Sequence, residues 1–241
     1  MQTITSKELL NFATLVQRMV KYNMKVIFGN RFIWFVLAAI AFYFFIAVNS
    51  IYNGAQMNDG FIYGLQIMPG ILLIFYPMTF GIQNDLDAGI LEILFGIPDY
   101  RYKVWLVRLA LVFLLVFLMM FGITTMSYFL LSPVNIFEIT WNVMFPIYFL
   151  GSLAFLFSTI IKNGNGTAVV MVIIGVVLLI LSEALSRTMW NIFLNPFSIP
   201  DRLNEMIWKD ITMKNRIFLA VGSLLFVLYG LFNLQKREKF I

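Results

Sequence analysis

Asp85, Asp87 and Glu92 fall close together, with Gly89 between them, in the stretch 83–108, QNDLDAGILEILFGIPDYRYKVWLVR. Carboxylates followed by glycine near a membrane face are residue types that a metal-dependent lipid phosphotransferase uses to hold Mg²⁺. Such a site needs several acids converging on one ion. Only Glu92 can join the pair, because the next acid, Asp99, comes after Gly96 and Pro98. Structural roles account for the same residues. Asp85 and Asp87 complement the positive end of a helix dipole if they open a helix. Gly96 and Pro98 follow in the order expected where a helix stops. Asp99 can then cap the next helix, whose first turns carry Arg101, Lys103 and Arg108. A plain loop requires none of this; a rigid element passing force from a soluble partner to membrane helices does.

Glu92 interrupts the apolar residues Ile90, Leu91, Ile93, Leu94 and Phe95. Arg108 falls about one turn inside the next apolar run, where an unpaired charge costs up to ~3 kcal/mol at a helix centre. Snorkelling to the headgroups removes most of that cost. An ion pair between Glu92 and Arg108 does the same and anchors the short helix to the span, so pairing is the arrangement expected here. No other catalytic constellation or metal site is assigned. The chain has no His and no Cys, which excludes imidazole chemistry, thiolate metal ligands and disulfides. It also lacks G-x-x-x-x-G-K-[ST], so any ATP-driven work must be done by another polypeptide.

The elements that position these residues follow from composition. Of 241 residues, 61% are hydrophobic and 12% charged, with a mean hydropathy of +0.88. Soluble domains are nearer half apolar and a quarter charged, so the chain is expected to be an all-α polytopic membrane protein. Six runs are long enough to span: 32–51, 61–82, 104–131, 141–161, 167–185 and 217–234. The first of them is itself of spanning length, and no cleavable signal peptide is read before it. Residues 1–31 carry five Lys or Arg, residues 101–108 three, the turn between the fourth and fifth runs Lys162, and the tail Lys236, Arg237 and Lys239. The loops 52–60 and 132–140 carry none. This alternation puts both termini and the 83–108 stretch in the cytoplasm, and it explains the net charge of +5 without a nucleic-acid partner. Five basic residues in 187–216 are a mild exception.

Residues 1–31 read as an amphipathic helix along the membrane surface, with Thr5 and Glu8 as a capping box. It is either an anionic-lipid anchor or a docking helix. Residues 186–216 contain either a short helix over 201–211, with a Glu205–Lys209 pair, or an interfacial belt of Trp190, Phe193, Phe197 and Trp208. Pro69, Pro77 and Pro146 suit helices that kink or shift. Gln66, Thr124, Thr125, Ser152, Ser158 and Thr159 are expected to hydrogen-bond mostly between helices.

Taken together, a basic amphipathic N-terminal helix, six spans and the run Asp87, Gly89, Leu91, Glu92, Pro98, Arg101, Arg108 resemble the membrane subunit of type-2 ABC exporters. Asp87 stands where that family more often has Glu. The resemblance implies a single transmembrane domain: a connecting helix over 1–31, spans one and two over 32–82 and a coupling helix over 83–100. Spans three to five over 101–185, an external loop with short helices over 186–216, and span six with its tail over 217–241 complete it. It implies that Asp85, Asp87, Gly89, Leu91, Glu92, Pro98, Arg101 and Lys103 couple to a separate ATP-binding subunit, which holds the ATP and Mg²⁺ while this chain holds no cofactor. It further implies a second permease subunit, identical or homologous, in a bacterial cytoplasmic membrane. The second and fifth spans would line a cavity for a hydrophobic or amphiphilic substrate. A membrane enzyme with Mg²⁺ on Asp85, Asp87 and Glu92, and a non-transporting regulator on the same scaffold, are the alternatives.

Overall fold

The computed structural model describes residues 32–87, 101–200 and 203–234. They form six helices long and apolar enough to cross a bilayer: α1 (Phe32–Tyr52), α2 (Asp59–Asp87), α3 (Val107–Leu130), α4 (Ile136–Ile161), α5 (Gly164–Ala184) and α6 (Glu205–Asn233). A π-helical turn, Arg101–Leu106, leads into α3. No strand occurs among the described residues. In hydrocarbon each backbone N–H must find its acceptor inside the protein, and a helix supplies it locally. The protein is an all-α polytopic membrane protein.

Asparagines set three of the helix starts. The side-chain oxygens of Asn135, Asn163 and Asn204 accept the N–H groups of Glu138, Gly166 and Ile207, satisfying donors that a helix N-terminus otherwise leaves open. Lys162 closes α4 with φ 62°, the left-handed conformation common at helix ends. Only Lys162 and Asn163 therefore separate α4 from α5.

Two elements depart from the sequence reading. The helix of the second span does not stop at Ile82 but continues through Asp87, so Asp85 and Asp87 belong to α2 rather than opening a separate helix. No Gly or Pro between Gln83 and Asp87 marks a break. Similarly, the short helix expected over 201–211 is not a separate element. From Glu205 onward it is the first part of α6, and residues 185–200 are turns. Asn204 caps that long helix and nothing from Glu205 to Arg216 interrupts it. Residues 1–31, 88–100 and 235–241 lie outside the described residues, and with them the expected surface helix and the Asp99 cap.

Burial divides the helices sharply. Within the most apolar stretch of each, 67% of α2 and 61% of α4 are buried, against 22% of α1 and 11% of α5. The α2–α4 contact is the centre of the bundle and explains the two glycines in it. A Cβ at Gly70 would collide with Ile147, and a Cβ at Gly151 would collide with Ile74. Each helix thus lends a glycine hole to the other's isoleucine, in one common register, so the two run in the same direction. Close approach of this kind drives helix association in lipid, where apolar burial alone cannot. The α4–α6 pair is also parallel. Asn142 accepts from Arg216 at 3.2 Å and, further along, Asn233 donates to the Thr159 carbonyl at 2.8 Å.

Candidate functional site

At one end of the bundle α2 and α3 are joined by a buried ion pair. Arg108 Nη1 donates to Asp85 Oδ2 at 2.5 Å, with the two side chains 8% and 2% exposed. The π-helical turn delivers Trp105 beneath the guanidinium, 5.2 Å from its ring centroid. Gly81, one turn before Asp85, lies beside the guanidinium, where a Cβ would sit 3.5 Å from Nη2, in ordinary contact. Pro77, Met78, Gly81 and Asp85 recur at helical spacing and share this face. A buried pair of this sort stabilises little over an apolar contact. Breaking it by removing one partner costs about 3–5 kcal/mol.

The same end of α2 also grips α5. Gln83 Oε1 accepts the backbone N–H of Gly164, the first residue of α5. A side chain at Gly164 would collide with Phe80 and Gln83, so glycine is required for the close approach. Asn163 caps the same turn from within the chain, accepting Gly166 N–H at 3.0 Å. Thus α2, α3 and α5 converge on the residues Gln83–Asp87, immediately before the segment 88–100.

Between the ends, a polar chain ties four helices through the apolar interior. Tyr43 of α1 bonds Ser127 of α3 at 2.9 Å. Thr124 of α3 donates to Gln66 Oε1 of α2, and Thr140 of α4 donates to Thr124, each at 2.9 Å. Gln66, Thr124, Ser127 and Thr140 have no solvent exposure. Gln66 and Thr124 behave as expected for interhelical polar groups. Thr125 and Ser158 instead bond carbonyls of their own helices. Thr159 does so too, while also accepting from Asn233 of α6. Ser152 has no hydrogen-bond partner among the described residues.

At the opposite end of α2 a second arginine is buried. Arg216 Nε donates to Asn142 Oδ1 at 3.2 Å, Nη1 to Asn215 Oδ1 at 2.8 Å and Nη2 to the Tyr63 hydroxyl at 3.3 Å. Its guanidinium also lies over the rings of Tyr63 and Phe145, at 5.9 and 5.4 Å from their centroids. Asn215 donates to the carbonyls of Met189 and Asn191, both at 2.8 Å, and Trp208 to that of Pro196 at 3.2 Å. The turns of 185–200 are therefore strapped to α2, α5 and α6 by side chains. Trp208 and Phe193 are packed inward while Trp190 is 53% exposed, so the aromatic residues do not form a uniform belt. The expected Glu205–Lys209 pair is present at 2.7 Å on the surface.

The sequence-derived site residues fall into three groups. Asp85 is buried and paired with Arg108. The continuous α2 is the cause: one turn past Gly81, Asp85 must face α3. Asp87 is exposed. Gly89, Leu91, Glu92 and Pro98 lie outside the described residues, as do the side chains of Arg101 and Lys103. Arg108 was expected to meet Glu92, which lies outside the described residues; among the described residues the carboxylate it meets is Asp85. Gln83 and Arg216 were not singled out. Gln83 carried a signal in being the first of four polar residues in the five that follow Ile82; Arg216 sat at the start of an apolar run like Arg108.

No protein-family model matches the chain, and no curated protein or solved structure matches it.

Proposed function

We propose that the chain is the transmembrane permease subunit of an ATP-driven exporter of the type-2 ABC class. It forms half of a translocation pathway with a second permease subunit, identical or homologous. The residues 83–100 meet a separate ATP-binding subunit, which supplies ATP and Mg²⁺. In this reading both termini are cytoplasmic, the membrane is a bacterial cytoplasmic membrane, and the cargo is hydrophobic or amphiphilic. Glu92, Leu91, Pro98, Arg101 and Lys103 keep their assigned contacts with the partner, and Asp87 supplies an exposed carboxylate beside them.

The observation that carries the proposal is the joint Asp85–Arg108, with Gln83–Gly164 beside it. A displacement imposed on the segment between α2 and α3 would reach three spans at once through these contacts. The joint does not suit an enzyme holding Mg²⁺ on Asp85, Asp87 and Glu92, because Asp85 is already engaged by a guanidinium. Affinity purification from native membranes is expected to recover an ATP-binding-cassette subunit. In the reconstituted complex, Asp85→Asn and Arg108→Gln are expected to hydrolyse ATP while losing most transport. Tight coupling in both variants, or a complex without any ATPase, would overturn the proposal.

A further inference from the structure

Between α2, α4 and α5 lies a cavity of about 290 Å³ that is partly open to the surroundings. Its floor is the tightly packed α2–α4 contact, including buried Ile74 and Ala154. Its rim is Met68 of α2 together with Val172 and Val176 of α5, which are 41%, 57% and 51% exposed. No lining side chain carries a nitrogen or an oxygen. Apolar cavities of roughly half this size stay dry and take up hydrocarbon ligands.

Gly175 sits midway along the α5 wall. Unlike Gly70 and Gly151, it is not demanded by a neighbour, since a Cβ there would meet nothing within 4 Å. A glycine inside a helix is disfavoured relative to alanine. What this one does is leave the cavity wide. The α5 wall runs from Met171 to Leu179, roughly 12 Å at the helical rise per residue. That direction is along a spanning helix, as the chains of bilayer lipids lie.

We propose that this slot binds one alkyl chain of a membrane lipid, entering from the bilayer between α2 and α5. The binding belongs to the chain by itself; a role for the bound lipid as cargo rests on the permease reading. The test uses the full chain in nanodiscs containing phosphatidylcholine with a diazirine midway along one acyl chain. After photolysis, adducts are mapped by mass spectrometry. They are expected to concentrate on Met68, Met171 and Leu179, to saturate with probe fraction, and to fall several-fold in Gly175→Leu and less in Gly175→Ala. Gly122→Leu, which adds the same bulk in open space on α3, is expected to label like wild type. Adducts spread over Val169, Ile173 and Ile180 in proportion to exposure, with Gly175→Ala and Gly175→Leu unchanged, would show annular lipid only and overturn the site. Crosslinks between two copies at Val172 and Val176, in place of lipid adducts, would overturn it as well. Slot labelling that persists while the complex shows no ATP-driven lipid movement would leave the site standing and remove only its cargo role.

Discussion

Arg108 and Arg216 are both buried, and they meet opposite ends of α2 through Asp85 and Tyr63. Those contacts lie about 33 Å apart along the helix. Among the described residues, Arg108 is held by one carboxylate and one indole ring. Arg216 has no carboxylate in ion-pair range among the described residues and is held by neutral oxygens and two aromatic faces. Among the described residues, one end of the bundle thus rests on two joints, Asp85–Arg108 and Gln83–Gly164, and the other on many weaker contacts spread over α2, α4, α6 and the turns of 185–200. A charged joint can be opened by displacing one residue. A distributed one yields only when several elements move together.

The comparison can be broken most directly at the first arginine. Asp85→Ala strands the Arg108 charge in a dry site and is expected to cost about 3–5 kcal/mol in a reversible unfolding titration. The double variant Asp85→Asn/Arg108→Gln should recover much of that loss. A single-variant cost under about 1 kcal/mol would mean that water already reaches the pair. Arg216→Met removes a charge that has no counterion among the described residues but leaves the acceptors Asn142 and Asn215 short of donors. Its expected cost in the same titration is about 1–3 kcal/mol, below that of Asp85→Ala. A cost equal to or above that of Asp85→Ala would reverse the ranking of the two ends. Thr140→Val tests the polar chain between them, where one interhelical hydrogen bond averages about 0.6 kcal/mol in membrane proteins. At the bottom of the scale, Glu205→Gln should not shift the unfolding midpoint measurably, because the Glu205–Lys209 pair is 70% and 76% exposed.

Much of this arrangement is written locally. The six spans are legible because each helix must be apolar over its whole bilayer depth, and the Asn135, Asn163 and Asn204 starts carry ordinary capping chemistry. What escapes a reading along the chain is where one rod ends and which groups meet. Nothing at Gln83–Asp87 distinguishes a helix that continues from one that restarts, so Asp85 and Glu92 were both available to Arg108. The orientation of α2 against α3 is what brings Asp85 to Arg108. Likewise Gln83 and Gly164 are far apart in sequence, and neither residue type announces the other. Gly175 looks like any helix glycine until its empty surroundings are seen, whereas Gly70 and Gly151 are filled by partners. Arg216 reads as one cation among five in a loop, and its burial follows from α6 beginning as early as Glu205.

The turn Lys162–Asn163–Gly164 gives α5 an uneven anchorage. Its first residue is clamped to α2 through Gln83, while most of its length has little protein around it. Its other end is tied as well, because Asn191 of the following turns donates to the Ser182 carbonyl at 3.2 Å. With 21 residues and a length of ~31 Å, such a rod is freest to bow in its middle, where it walls the apolar cavity. Bowing would leave the Gly70–Ile147 and Gly151–Ile74 interlocks undisturbed, because α5 takes no part in them.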